Sequence, residues 1–170
     1  ISFRKYKDEE LNDAIIDEIV KVTGMKDKDD IKNFDISLGA VINGKYTNFN
    51  VGGIFGIDIN GGSGSKAEAW QILTPVKNSP DGIYSINEII HEKYRPTKYY
   101  GHKELNNYNS EVFGLQKIGV GDKVICSKNG NSDAYPPNNF NYIANGEIGI
   151  RVSSAPKTNY PNVEFSTQLG

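Results

Sequence analysis

Side chains able to do covalent chemistry are few in this sequence, and none is spaced to do it. The chain holds one cysteine, Cys126, and two histidines, His91 and His102. Neither Gly-x-Ser-x-Gly nor His-Glu-x-x-His occurs, and Cys126 has no evident histidine partner, so no catalytic residue is assigned. One cysteine and two histidines also cannot assemble a Cys/His metal cluster, and no metal site is expected. The run Gly61-Gly62-Ser63-Gly64-Ser65 leads into Lys66 in the manner of a phosphate loop. The Gly-x-x-x-x-Gly-Lys-Ser/Thr spacing is absent, however, and Ala67 follows the lysine. Three cations in a glycine-punctuated stretch, Lys123, Lys128 and Arg151, are of the type that meets phosphate oxygens without reading a sequence. Tyr84, Tyr94, Tyr99, Tyr100, Tyr108 and Tyr142 can stack on bases or simply cover the surface. Trp70, ahead of an apolar run, reads as a packing residue, Cys126 as core beside Val124, and His91 as solvent-facing.

The chain as a whole bounds these readings. It has 170 residues, 37% hydrophobic and 24% charged, with a formal net charge of −2. A chain of this size buries roughly 70% of its unfolded surface, enough for a core without disulfides or a structural metal. No global basic field marks it for nucleic acid or an anionic membrane, so any such contact must be local. No stretch nears the roughly 20 apolar residues of a membrane helix, and Ile1-Ser2-Phe3-Arg4-Lys5 is not the start of a signal peptide, so a reducing cytoplasm is expected. The chain opens without Met and closes in strand-like sequence at Gln168-Leu169-Gly170, which suggests a piece of something longer.

The elements that must position these residues follow from periodicity. Leu11, Ile15, Ile19 and Val22 recur at helical steps, with Asp8, Glu9 and Glu10 at the start and Gly24 at the end, predicting an amphipathic helix. Lys26 to Asp30 is a loop or the beginning of a short turn, and 34–55 reads as short strands, with Asn43-Gly44 as a hairpin turn. The run 61–65 reads as a flexible linker, native or replacing a deleted loop. Trp70 to Val76 predicts a buried strand, and Ile83, Ile86, Ile90 and Tyr94 a helix ended by Arg95-Pro96. Tyr99 to Asn109 reads as a loop. From about 113 the chain predicts a meander of short strands: Lys123 to Lys128, Phe140 to Ala144, then the Asn145-Gly146 turn, Glu147 to Val152, and Val163 to Phe165. A small barrel would remove their edges.

Two segments carry a resemblance. Trp70-Gln71-Ile72-Leu73-Thr74-Pro75-Val76-Lys77, followed by Asp81-Gly82-Ile83 and Ile86-Asn87, is similar to the motif IV region of UvrD/RecD-like superfamily-I DNA helicases. Gly121-Asp122-Lys123-Val124-Ile125, then Asn129, then Asn141-Tyr142-Ile143-Ala144-Asn145-Gly146-Glu147-Ile148-Gly149 resembles, in order and spacing, the signature of their inserted SH3-like barrel, called 2B. The resemblance covers mainly 66–95 and 113–170.

It implies an α+β chain: an SH3-like small β-barrel with a partial RecA-like α/β segment. Residues 1–60 would hold a helix and short strands of the second RecA-like domain, 2A, 61–65 the linker, 66–112 the motif IV strand, helix and loop, and 113–170 the barrel. It implies single-stranded or partly duplex DNA as partner, through Lys123, Lys128 and Arg151, in recombination or repair, and no membrane. In the parent, Gln71 and Lys77 would contact nucleotide. Lysine stands at 77 where the family often has arginine, which offers a bidentate fork to phosphate. ATP and magnesium would belong to the parent only, since the phosphate loop, the acidic motif and motifs V and VI are missing here, and the fragment alone should not turn over ATP. Within the barrel signature, Gly121, Asp122, Asn145, Gly146, Glu147 and Gly149 also have a backbone reading: a tight turn, a positive-φ turn and a close strand approach. A stand-alone SH3-like module that binds protein or nucleic acid without a motor is the competing class.

Overall fold

The structure, a computed structural model, describes residues 6–7, 10–44, 46–49, 62–95, 118–134, 139–154 and 161–166. The expected loop at Tyr99 to Asn109, with Tyr99, Tyr100, His102 and Tyr108, lies outside them.

Helix α1 spans Leu11–Thr23 and closes on Gly24, whose φ of +73° is the left-handed conformation that glycine adopts without strain. Leu11, Ala14, Ile16 and Ile19 are buried; Val22, expected on the same face, is 61% exposed. Helix α2, Ile31–Ser37, forms where strands were expected. Asp30 caps it by accepting from Asn33 N at 3.2 Å, and its carboxylate also takes Asn33 Nδ2 at 2.6 Å. The expected hairpin follows, β1 (Ala40–Asn43) antiparallel to β2 (Tyr46–Phe49), with Gly44 at φ +62° in the turn.

The segment expected to be a flexible linker is instead packed. Ser63–Lys66 is a 3-10 turn with Ser63 and Gly64 buried. A Cβ on Gly39 would lie 2.6 Å from Ser63 Cα, and one on Gly64 would lie 2.8 Å from Phe165 O. Small residues serve close approach of backbones here, a use that composition alone cannot separate from looseness.

Residues 70–76, expected as a buried strand of a RecA-like layer, lie outside any sheet, and Leu73 is 87% exposed. No described strand runs beside them to complete a ladder. They lead into a compact reversal held by Thr74 Oγ1 donating to Asp81 O (2.8 Å) and Ile83 N to Val76 O (3.2 Å). Helix α3, Ile83–Tyr94, then forms as expected.

The remaining strands are β3 (Lys123–Ile125), β4 (Gly130–Ala134), β5 (Asn139–Ile143), β6 (Ile148–Ser154) and β7 (Pro161–Phe165). They make a three-stranded antiparallel sheet, β3-β6-β7, and a separate β4-β5 hairpin. Among the described residues they close no barrel, and the architecture is mixed α and β with small antiparallel sheets. One core joins the elements: Ile16 and Ile19 of α1, Phe34 of α2, Phe49 of β2, Tyr94 of α3, and Ile150 and Val152 of β6. It draws on 1–60, 66–112 and 113–170 alike.

Candidate nucleic-acid interface

The three cations proposed for phosphate contact face three different environments. Arg151 lies in β6 with 0% of its surface exposed. Its Nη1 donates to Ile118 O, its backbone N to Asp122 O at 2.9 Å, and its carbonyl accepts from Gly121 N at 2.7 Å. It fastens the 118–122 turn to the sheet from inside, and burial removes it from the contact surface. Lys123 in β3 is half-buried: its Nζ donates to Trp70 O and sits 4.3 Å from the centroid of the Trp70 ring. Burial pulls its pKa down to about 8, against the smaller upward pull of Glu68. Lys128, after β3, is exposed.

Lys128 has company of a suitable type. Tyr142 on β5 is 63% exposed opposite Asn131 of β4, and Ile125 at the end of β3 is 65% exposed. The base of this hairpin is fixed to the sheet edge by Gly146 N donating to Cys126 O (2.8 Å), Cys126 N to Glu147 O (2.8 Å), and Asn145 N to Asn129 Oδ1 (2.7 Å). An exposed cation just before β4 and an exposed aromatic ring on its partner strand β5 are of the types that meet a phosphate and stack a base. The half-buried Cys126 donates from Sγ to Lys128 O at 3.0 Å.

The other residues of the barrel signature act on the fold. Asp122 Oδ2 accepts from Gly119 N at 2.6 Å, closing the turn, and Asp122 pairs with His91 Nδ1 at 3.4 Å and Arg95 Nε at 3.2 Å. His91 thus lies against Asp122, its side chain about a quarter exposed, where a solvent-facing position was expected. Gly121 has φ +87°, and a Cβ there would lie 2.5 Å from Phe49 Cζ. Gly146 has φ +95°, Glu147 Oε1 accepts from Ala144 N at 2.8 Å, and Gly149 lets β7 approach so closely that a Cβ would meet Val163 Cγ1 at 2.6 Å. The Asn145-Gly146 turn does not close a hairpin, however. It hands the chain from β5, paired with β4, to β6, paired with β3 and β7.

Gln71 and Lys77 are both exposed, Gln71 next to Trp70, whose carbonyl accepts from Lys123, and Lys77 within the reversal. Lys77 O accepts from Tyr84 N at 3.4 Å. Among the described residues, no group of three or more His, Cys, Asp or Glu is placed to hold a metal ion. Trp70 packs as expected, its Nε1 donating to Ser37 Oγ at 3.2 Å and its ring tilted against Phe34 at 6.1 Å.

Sequence reasoning missed Arg95, read only as a helix end. Its buried guanidinium donates to Asp35 Oδ1 (2.7 Å), Tyr94 O (3.0 Å) and Gly121 O (2.9 Å) and lies 5.0 Å from the Phe34 ring centroid. Comparison with family models, with curated proteins and with solved structures finds no match. No helix among the described residues is long and apolar enough to cross a membrane.

Proposed function

We propose that the chain is part of an ATP-driven DNA helicase of the UvrD/RecD-like superfamily-I kind, acting in the cytoplasm in DNA recombination or repair, and that this part contributes a surface facing single-stranded DNA. What supports the reading is that the residues of its barrel signature, from Gly121 to Gly149, meet in one unit: Asp122, Asn129 and Glu147 each cap a turn, and Gly149 admits β7. The sheet and hairpin are then the major part of an SH3-like barrel. The contact surface is Lys128, Tyr142 and the neighbouring amides, in place of the three-cation set. ATP and magnesium act in the parent, and the chain alone turns over no ATP.

A stand-alone binding module is the second reading, favoured by the single core that α1, α2, α3 and β6 share. Both readings share the hairpin surface; the full-length reading frame separates them, through an upstream Gly-Lys-Ser/Thr loop. The surface itself is tested by titrating labelled single-stranded oligonucleotide at low and moderate salt. Affinity near physiological salt should be non-specific, roughly 10⁻⁴ M or weaker, and should fall as salt rises. Absence of binding at low salt would reject the DNA-facing role.

A further inference from the structure

The β4-β5 hairpin turns one face away from the core. Ile143, at the end of β5, pairs with Gly130 and is buried. Successive residues of a strand point to opposite sides, so Tyr142 and its register partner Asn131 stand together on the other face, with Asp133 two positions further along β4. Asn131 and Asp133 are exposed, and Tyr142 is 63% exposed. Residues directly opposite in an antiparallel pair hold their Cβ atoms about 5 Å apart, and diagonal neighbours stay within reach of an aromatic side chain. A flat solute lying on the Tyr142 ring therefore has the Asn131 amide at its edge and the Asp133 carboxylate close by. Neither β4 nor β5 contains a lysine or arginine, so this face addresses a base and not a phosphate.

We propose, resting on the reading that this hairpin faces single-stranded DNA, that Asn131, Tyr142 and Asp133 read the stacked base and take adenine in preference to thymine. Tyr142 supplies a platform that every base can use, and the choice is made at the edge. An amide carries a donor and an acceptor side by side. Adenine alone among the four bases shows an acceptor, N7, beside a donor, N6–H, on its major-groove edge. Asn131 Nδ2 donates to N7 while its Oδ1 accepts one N6 hydrogen. The second N6 hydrogen is left for Asp133, which when ionised only accepts.

The other bases fail one part of this test. Thymine and guanine set O4 and O6 against the carboxylate, and cytosine has an amine without an acceptor beside it on that edge. The preference is a bias laid over weak binding. Its direction is informative, because thymine tracts stack least within themselves and are the more flexible strand, so a surface without edge contacts does not favour adenine.

The test is an anisotropy titration at low salt with labelled oligodeoxyadenylate and oligodeoxythymidylate of equal length. Wild type should bind the adenylate about fivefold or more tighter, the low end of what one bidentate side chain gives. Asn131→Ala should bring the two affinities together, and Asp133→Asn should narrow the ratio by improving thymidylate binding. Ser132→Ala, on the opposite face, should leave the ratio as it is. Equal wild-type affinities, or a ratio that survives Asn131→Ala, would overturn the proposal and leave the DNA-facing reading standing. Binding of neither strand would overturn both. Should Asn131→Ala fail to fold by circular dichroism, Asn131→Asp, which cannot donate to N7, should reduce the ratio in its place.

Discussion

Arg95 Nη1 donates to Asp35 Oδ1 at 2.7 Å, joining the end of α3 to α2 between two buried side chains. The same guanidinium reaches Gly121 O and pairs with Asp122, so one side chain binds α2, α3 and the turn that feeds the sheet. Buried ions held this way are costly to orphan, because removing one partner leaves the other charged and dry.

Arg95→Met should therefore destabilise the chain by about 3–5 kcal/mol, read as a lower urea midpoint at unchanged slope. Arg95→Lys should recover only a minor part of this, since a point charge at Asp35 cannot also reach Gly121 O and Asp122. A midpoint unchanged in Arg95→Met would mean that the network contributes nothing to folding.

Tyr94 stacks on Phe34 with ring centroids 4.1 Å apart and planes 13° apart, yet its buried hydroxyl has no hydrogen-bond partner among the described residues. Tyr94→Phe keeps the ring and discards the unsatisfied group, so stability should hold or rise by up to about 1 kcal/mol. Tyr94→Ala should lose roughly 3–5 kcal/mol, as large aromatic deletions from cores do. Thermal unfolding of the pair separates ring from hydroxyl; a clear loss in Tyr94→Phe would show that the hydroxyl is bonded in solution.

What the sequence revealed depended on whether the signal was local. The helices α1 and α3 and the turn at Gly44 announce themselves through spacing and turn chemistry, and so does the tight contact at Gly149. Helix α2 was hidden because seven residues carry little periodicity and its capping Asp30 sits within a run of charges. The segment at 62–65 was misread because glycine and serine say nothing about what presses on them; Phe165 and Gly39 lie far away in sequence. Residues 70–76 have strand composition, but a strand needs a neighbour, and composition does not supply one. Arg151 was misplaced because Ile150, Arg151 and Val152 are all buried, which defeats the alternation by which an outward cation is recognised.

The glycines divide into those that a side chain would ruin and those it would not. At Gly121 a Cβ meets both a positive φ and the Phe49 ring, and at Gly149 it meets Val163 and Glu164 O at 2.6 and 2.7 Å. Gly121→Ala and Gly149→Ala should each cost about 2 kcal/mol or more. Gly130, in β4, has nothing within 4 Å of a Cβ, and Gly130→Ala should stay within about 0.5 kcal/mol of wild type. Chemical unfolding of the three variants checks the order, and a Gly149→Ala protein as stable as Gly130→Ala would contradict the closeness of β6 and β7.

The hairpin surface predicts how losses of DNA binding should divide between contact and fold. Lys128 is exposed and sits beside the base of a hairpin carrying the exposed ring of Tyr142, whereas Arg151 is buried and holds the 118–122 turn. Lys128→Ala should leave the unfolding midpoint unchanged, weaken oligonucleotide binding, and reduce the slope of log K against log salt by about 0.7, the value of one phosphate on a single strand. Tyr142→Ala should weaken binding by about 1–3 kcal/mol, the range for loss of one stacked base, while leaving the salt slope alone, because stacking releases no counterion. Arg151→Ala should lower the unfolding midpoint, and any loss of binding should track the unfolded fraction. Anisotropy titrations at several salt concentrations, set beside unfolding curves of the same proteins, test all three together. If Arg151→Ala changed the salt slope while remaining fully folded, Arg151 would be on the contact surface and the hairpin would not be the site.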